Sequence, residues 1–460
     1  MRTGIRTGEP VERFPIERAS PTDLMELASD LSGAPMQVAA VLVLDTGSAP
    51  ELSAVRDALA ERIRVVPRLR QRLVRAPIGC GRPVWVDDPA FDIDEHVTSA
   101  RCPAPGDEHA LLGIVAGRAM VRLPAGRPLW SVALITGLAS GGNALIVVMH
   151  HVLADGIGGL AVLGQLVDGG SPAHPPDLFP RPAPSRRRMF ADALGSRLGR
   201  FAHLPAGALR LRDALAELAP SRTVRAPRCS LNRPAGPRRS LAVARTDLAA
   251  ALQAAHAHGG TVNDVVLCAV TGALHTVLRR RDETVDRLVV SVSVSARHQA
   301  SATQLGNQVG VIPMALPATG DPEQRLAAIA RITRDRKTAA PASSAAVLAP
   351  AFRILARLGV LQRFVDRQRL VTTFVTNLRG PQRQLSFLGA PVVDVIPVSV
   401  ITGNITVAFA ALSYAGTLLV TVVADPEACP DLPAVVAELQ GELDALTLGQ
   451  VDEPGGQAGG

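Results

Sequence analysis

Six prolines between residues 172 and 184 (Pro172, Pro175, Pro176, Pro180, Pro182 and Pro184) prevent any helix or central strand from running through this stretch, and they divide the 460-residue chain in two. Each half alternates helix-like and strand-like segments. In the first half, Ser20-Pro21-Thr22-Asp23 has the chemistry of a helix start: a capping serine, a proline suited to the first position and an acid at the positive end of the helix dipole. Residues 38–44 then read as a strand and 49–63 as a helix. Residues 144–150 read as a buried strand, and a Gly-rich turn leads into a helix over 160–167. In the second half, helices are expected over 248–256 and after Thr261-Val262-Asn263-Asp264, with strands at 288–294, 309–316, 370–376 and 392–400. This alternation predicts an α/β fold in two lobes, and 460 residues exceed what one hydrophobic core usually supports. The boundaries expected are a first lobe over 1–180, linker and crossover helices over 181–239, a second lobe over 240–448 and a disordered Gly-rich tail over 449–460.

Residues 404–424 carry no charged side chain and by length alone could span a bilayer. They are rich in Val, Thr and Ile, and Ser413-Tyr414-Ala415-Gly416-Thr417 interrupts them with turn chemistry, so they read as two buried strands joined by a turn. Residues 1–20 mix charges and prolines and lack an apolar signal core, so a cytoplasmic protein is expected. Five cysteines (Cys80, Cys102, Cys229, Cys268 and Cys429), widely spaced and without a C-x-x-C pair, fit reduced thiols better than disulfides or a metal site.

The formal charge is +7 and the pI about 10.0, which raises nucleic acid or an anionic surface as a partner. The positive charge is almost all arginine, with Lys337 the single lysine, and it is scattered; aromatics are only 3%. No nucleic-acid partner is expected. One basic stretch has two readings. Residues 186–218 alternate Arg with Leu, Phe and Ala, either as surface helices bridging the halves or as an amphipathic surface resting peripherally on a membrane or lipid droplet; Pro205 and Gly207 favour the first. Nothing in the sequence sets the oligomeric state.

The chemistry concentrates at His150-His151-Val152-Leu153-Ala154-Asp155-Gly156, where a buried strand ends. Consecutive strand residues point to opposite faces, so His150 and His151 cannot both face one cavity, and joint ligation of a metal is not expected. A single well-placed imidazole without a nucleophilic partner suits general-base catalysis, taking a proton from a hydroxyl as it attacks a carbonyl. No G-x-S-x-G elbow offers a serine route. Asp155 either orients the histidine or holds the loop through an ion pair. Residues 156–161 also match G-x-G-x-x-A, but Asp168 falls too early and the prolines follow, so a Gly-rich turn packed on its helix is expected instead of a dinucleotide site.

These residues carry a resemblance. The H-H-x-x-x-D-G run over 150–156 is similar to the CoA-dependent acyltransferases. Pro128-Leu129-Trp130, Asn263-Asp264-Val265-Val266-Leu267, Leu305-Gly306-Asn307, Asn377-Leu378-Arg379-Gly380-Pro381 and Ser413-Tyr414-Ala415-Gly416, in this order, resemble the bacterial wax ester synthase/diacylglycerol acyltransferase family, as does the opening Ser20-Pro21-Thr22-Asp23. The resemblance implies two chloramphenicol-acetyltransferase-like lobes with a channel between them. It implies transfer of a long-chain acyl group from acyl-CoA, a co-substrate with no further cofactor, to diacylglycerol or a long-chain alcohol. His151 would be the base, and His150 and Asp155 would support it, Asp155 pairing with Arg297. Asn263 would either donate to the developing oxyanion or cap the following helix. Gly156, Pro128, Leu129, Trp130, Asp264, Arg297 and Asn307 complete the expected substrate-binding set, although a tryptophan is also ordinary core. Two residues depart from the family pattern: Ser131 stands where an acid commonly follows Pro-Leu-Trp, and Arg379 adds a charge to its signature. A non-lipid acceptor, and a weakly catalytic lipid-binding relative, are the competing readings.

Overall fold

The computed structural model describes residues 14–30, 34–170, 178–202, 225–295, 309–339, 355 and 358–448. The expected tail, Arg297, Asn307 and residues 203–218 of the basic stretch lie outside them. The first half contains α1 (Pro21–Ser29), β1 (Gln37–Leu44), α2 (Leu52–Arg62), β2 (Gln71–Val74), β3 (Val84–Asp87), β4 (Val97–Arg101), α3 (Glu108–Met120), β5 (Trp130–Thr136), β6 (Asn143–His150), α4 (Gly156–Leu166) and α5 (Arg186–Ala202). The second contains β7 (Ser240–Asp247), α6 (Leu248–Ala257), α7 (Val262–Arg280), β8 (Arg287–Ser295), β9 (Val309–Pro317), α8 (Pro322–Ala339), α9 (Leu361–Val365), β10 (Thr373–Arg379), β11 (Ser386–Phe387), β12 (Ala390–Val398), β13 (Val407–Tyr414), β14 (Thr417–Ala424) and α10 (Leu432–Leu448).

Twelve of the described strands form two six-stranded sheets, ordered β11-β12-β1-β6-β5-β4 and β7-β14-β13-β10-β8-β9, and β2 and β3 pair with each other. The expected division at residue 240 therefore fails for one segment. The strand expected at 392–400 pairs antiparallel with β1 in the first lobe's sheet (Ala39↔Val398, Val41↔Ile396). Without β12, β1 would be an edge with apolar residues on both faces, a surface that a fold must cover.

Alternation along β1 explains the two faces. Ala40, Leu42 and Leu44 join the first lobe's core with α2 and α4, while Ala39 and Val41 join Leu112 and Val115 of α3, Leu241 of β7 and Leu419 and Val423 of β14. That second cluster is the seam between the lobes. At its rim, Arg245 of β7 pairs with Glu108 of α3 and with Asp394 of β12 at 2.8 Å.

The uncharged stretch forms the β13–β14 hairpin, whose two loop residues, Ala415 (φ 45°) and Gly416 (φ 91°), both lie in the left-handed region that tight hairpins require. The second lobe's core is α7, long and apolar enough to cross a membrane by composition, but 72% buried over that window beneath the sheet and α10. All five cysteines are free. Burial pushes Cys268 up to about 11 and Cys429 up to about 12, so neither is a ready nucleophile at neutral pH.

Candidate active site

β6 is buried at all eight positions and delivers its last residue, His150, to the sheet's end. The His150 N–H donates to the Leu129 carbonyl at 2.9 Å, and the His151 N–H to the Met36 carbonyl at 2.8 Å. Both histidines are thereby fixed by neighbouring segments before any side-chain contact is made. Their side chains then diverge in role. His150 is buried, and its Nδ1 accepts the Val152 N–H at 3.0 Å. A nitrogen that accepts cannot carry the proton, so the proton sits on Nε2, which faces Asp30 Oδ2 at 3.3 Å. His150 is a structural imidazole that holds the turn, whereas His151, at the start of that turn, is half-buried.

Asp30 is the residue that sequence reasoning missed. It caps the C-terminal end of α1, accepts the Met36 N–H at 3.1 Å and pairs with Arg122 at 2.7 Å. Burial works against its charge, but the hydrogen bonds from His150 and the Met36 N–H, with the charge of Arg122, hold the carboxyl below the ordinary carboxylate range. Asp30 therefore anchors both His150 and the segment whose carbonyl anchors His151. It is a positioning residue, and Asp30→Asn is expected to lower turnover by about tenfold with KM nearly unchanged, because the imidazole is misplaced while the substrate contacts stay. Steady-state kinetics with a thermal melt check this; a change confined to KM would remove the positioning role.

The glycines belong to a helix, which corrects the expected turn. Asp155 is the N-cap of α4, its Oδ1 accepting the Gly158 N–H at 2.8 Å, so Gly156, Gly158 and Gly159 form the first turns. At Gly156 a Cβ would lie 2.8 Å from the end of the Leu378 side chain, so α4 begins in close contact with β10. The loop after His151 is thus pressed against the second lobe. Asp168, too early for a dinucleotide acid, accepts the Leu388 and Gly389 N–H groups at 3.1 and 2.8 Å and so ties down the β11–β12 hairpin.

The second-half signatures converge on the same place. Gly380 donates to the Ser413 carbonyl at 2.9 Å, and Ala415 to that of Pro381 at 3.1 Å. Tyr414 donates through its hydroxyl to the Val392 carbonyl at 2.7 Å. Their shared work is to seat β10, and with it Leu378, against the histidine loop.

Other expected site residues sit elsewhere. Trp130 is core: 2% exposed, it donates from Nε1 to the Leu69 carbonyl at 2.6 Å and stacks on His96 at 4.5 Å. The expected acceptor-side contact of Trp130 is corrected accordingly. Pro128 is buried as well, and Leu129 serves the site through its carbonyl. Burial pushes His96 below the usual imidazole range, which keeps it neutral within the stack. Asp264 is also spent on the fold. Its Oδ2 accepts the Thr261 N–H and hydroxyl at 2.8 Å, and its Oδ1 the Thr333 hydroxyl at 2.7 Å. Thr261, not Asn263, is the N-cap of α7; Asn263 stands half-buried in the first turn of that helix. Between the lobes, Pro35, Gln37, Met120, Arg239, Leu241 and Ile401 line a mostly apolar recess. Gln37 is the β1 partner of His150. Burial pushes the Arg239 guanidinium down to about 10.

Two family models match this chain. The wax ester synthase/diacylglycerol acyltransferase catalytic domain covers residues 19–266, and the WS/DGAT C-terminal domain covers 305–447. The chain belongs to the wax ester synthase/diacylglycerol acyltransferase family. Among its relatives is a protein of Mycobacterium tuberculosis named as a probable diacylglycerol O-acyltransferase, 33% identical over 416 residues, which span 86% of this chain and 88% of the relative. The wax ester synthase/diacylglycerol acyltransferase structure from Marinobacter aquaeolei superimposes with a TM-score of 0.67 at 25% identity, over 94% of this chain and 99% of that one. The starter condensation domain of rhizomide synthetase shares the fold at a TM-score of 0.60 and 17% identity, over 94% of this chain and 93% of its own. The chain is therefore an acyltransferase with the two-lobed wax ester synthase/diacylglycerol acyltransferase architecture. Of the family departures, Ser131 lies on β5 opposite Val148, and Arg379 is exposed at the end of β10.

Proposed function

We propose that this family member transfers a long-chain acyl group from acyl-CoA to the hydroxyl of diacylglycerol or a long-chain alcohol, with His151 as the general base. The observation that carries the assignment to His151 is the division of labour at the strand end. His150 has both ring nitrogens engaged by the fold, at Val152 and Asp30, while the half-buried His151 follows it with its backbone fixed. A base must be held in place and reachable, and the family relatives named for diacylglycerol supply the acceptor class.

In the step proposed, neutral His151 accepts the acceptor's hydroxyl proton as that oxygen bonds to the thioester carbonyl carbon. The tetrahedral species then collapses, the carbon–sulfur bond breaks, and the imidazolium returns the proton to the departing thiolate. Ester and free CoA result, the imidazole is regenerated, and no cofactor takes part. Asn263, in the first turn of α7, is the proposed donor to the oxyanion, and Asp155 keeps the loop in place through α4. Arg297 is the proposed partner of Asp155.

A panel of acceptors tests the substrate class. Purified protein with labelled palmitoyl-CoA is expected to form labelled ester with hexadecanol or dipalmitoylglycerol, and much less with short alcohols. Turnover confined to short or non-lipid acceptors would overturn the lipid reading while leaving the fold and the base untouched.

A further inference from the structure

We propose that the outward face of α5, together with the tip of the β2–β3 loop, seats this protein on an anionic lipid surface. The inward face of α5 is already fixed. Met189 and Ala193 are buried, with Met189 packed against Cys80, Val84 and Val86. Arg18 ties the helix to the loop, donating to Asp192 at 2.7 Å, to the Met189 carbonyl at 2.9 Å and to the Cys80 carbonyl at 2.8 Å.

The outward face is unlike an ordinary solvated helix. Phe190, Leu194 and Leu198 recur at every fourth residue and are 49%, 43% and 61% exposed, and Ile78 at the loop tip stands fully in the open. The two features adjoin, since a side chain at Gly79 would meet the Phe190 ring at 3.7 Å and Arg197 reaches the Gly79 carbonyl. Single exposed apolar residues are normal; a contiguous row on a rigidly held helix is not.

The charge selects the occupant. Arg186, Arg187 and Arg197 are exposed on α5, while the helix's one acid, Asp192, is itself exposed but paired with Arg18. An apolar row flanked by arginines matches a lipid interface carrying negative headgroups. A second copy meeting this face about a twofold axis would set the same arginines against each other. The inference deepens the lipid-acceptor reading and rests on it for its purpose, but lipid binding is measured without turnover, so each can fail alone.

The test is co-sedimentation of the full chain with vesicles of phosphatidylcholine alone and of phosphatidylcholine with phosphatidylglycerol. Wild-type protein is expected to bind the anionic vesicles, less so as salt rises. Leu194→Glu with Leu198→Glu should weaken binding by at least about tenfold, and Arg186→Gln with Arg187→Gln by about fivefold per charge. Ile78→Glu, on an exposed loop where folding is not at stake, should weaken it in the same direction. Transfer between a short acyl-CoA and a short alcohol should be unchanged in these variants. The proposal is overturned if the variants sediment with anionic vesicles as wild type does, or if neutral vesicles are bound equally well. It is also overturned if, without lipid, the leucine variants turn a wild-type oligomer into a monomer.

Discussion

His151→Ala is expected to lower acyl transfer to hexadecanol or diacylglycerol by about 10²–10⁴-fold, the usual contribution of a positioned general base. The protein itself should be almost unaffected. His151 is half-buried, and alanine keeps the backbone N–H that reaches the Met36 carbonyl. The thermal stability of the variant should therefore stay within about 1 kcal/mol of wild type. His150→Ala makes the useful contrast. It removes the acceptor of the Val152 N–H and the partner of Asp30, both in a buried setting, and should cost about 1–3 kcal/mol of stability. Two adjacent histidines thus separate by readout, one through turnover and the other through stability. Full turnover in His151→Ala would remove the base from the account.

The second large effect falls on stability. Trp130→Ala is expected to destabilise the protein by about 3–5 kcal/mol, a large share of the total for a natural domain. The indole is 2% exposed, its N–H satisfies the Leu69 carbonyl, and its ring is one layer of the stack formed with His96 and Phe91. Alanine leaves a cavity, an unsatisfied carbonyl and an imidazole without its neighbour. Trp130→Phe keeps the stack but loses the hydrogen bond, and should cost about 1–3 kcal/mol. Denaturant unfolding distinguishes this from an acceptor-lining role, which would leave the midpoint in place and change only the KM for the acceptor.

Local features of this protein were legible in its sequence, and non-local ones were not. The buried run ending in His150 and the turn chemistry at Ala415-Gly416 are each fixed by neighbouring residues, and both appear as read. Residues 392–400 also read correctly as a strand, but their partner β1 lies in the other half of the chain, so nothing nearby assigns them to the first lobe. Asp30 was invisible for the same reason, lying 120 positions from His150. The first turns of α4 were misread because glycine disfavours helix. The Asp155 cap outweighs that preference, and the neighbouring Leu378 comes from the other half of the chain. At the start of α7, Thr261 and Asn263 are both good caps, and only the engagement of Asp264 with Thr261 and Thr333 distinguishes them. Family resemblance located the histidine loop more surely than it assigned single residues. Signatures such as Pro128-Leu129-Trp130 and Asn377-Leu378-Arg379-Gly380-Pro381 prove to hold the site's frame through backbone and packing.

The central claim is that the acceptor hydroxyl, activated by His151, attacks the thioester directly. Its most direct test is to mix the enzyme with labelled palmitoyl-CoA, first without and then with hexadecanol, following free CoA and the mass of the intact protein. The account predicts no acylated protein at any time, and CoA release only once the alcohol is present. Protein carrying one acyl group, with CoA released in equal amount before any acceptor is added, would contradict it.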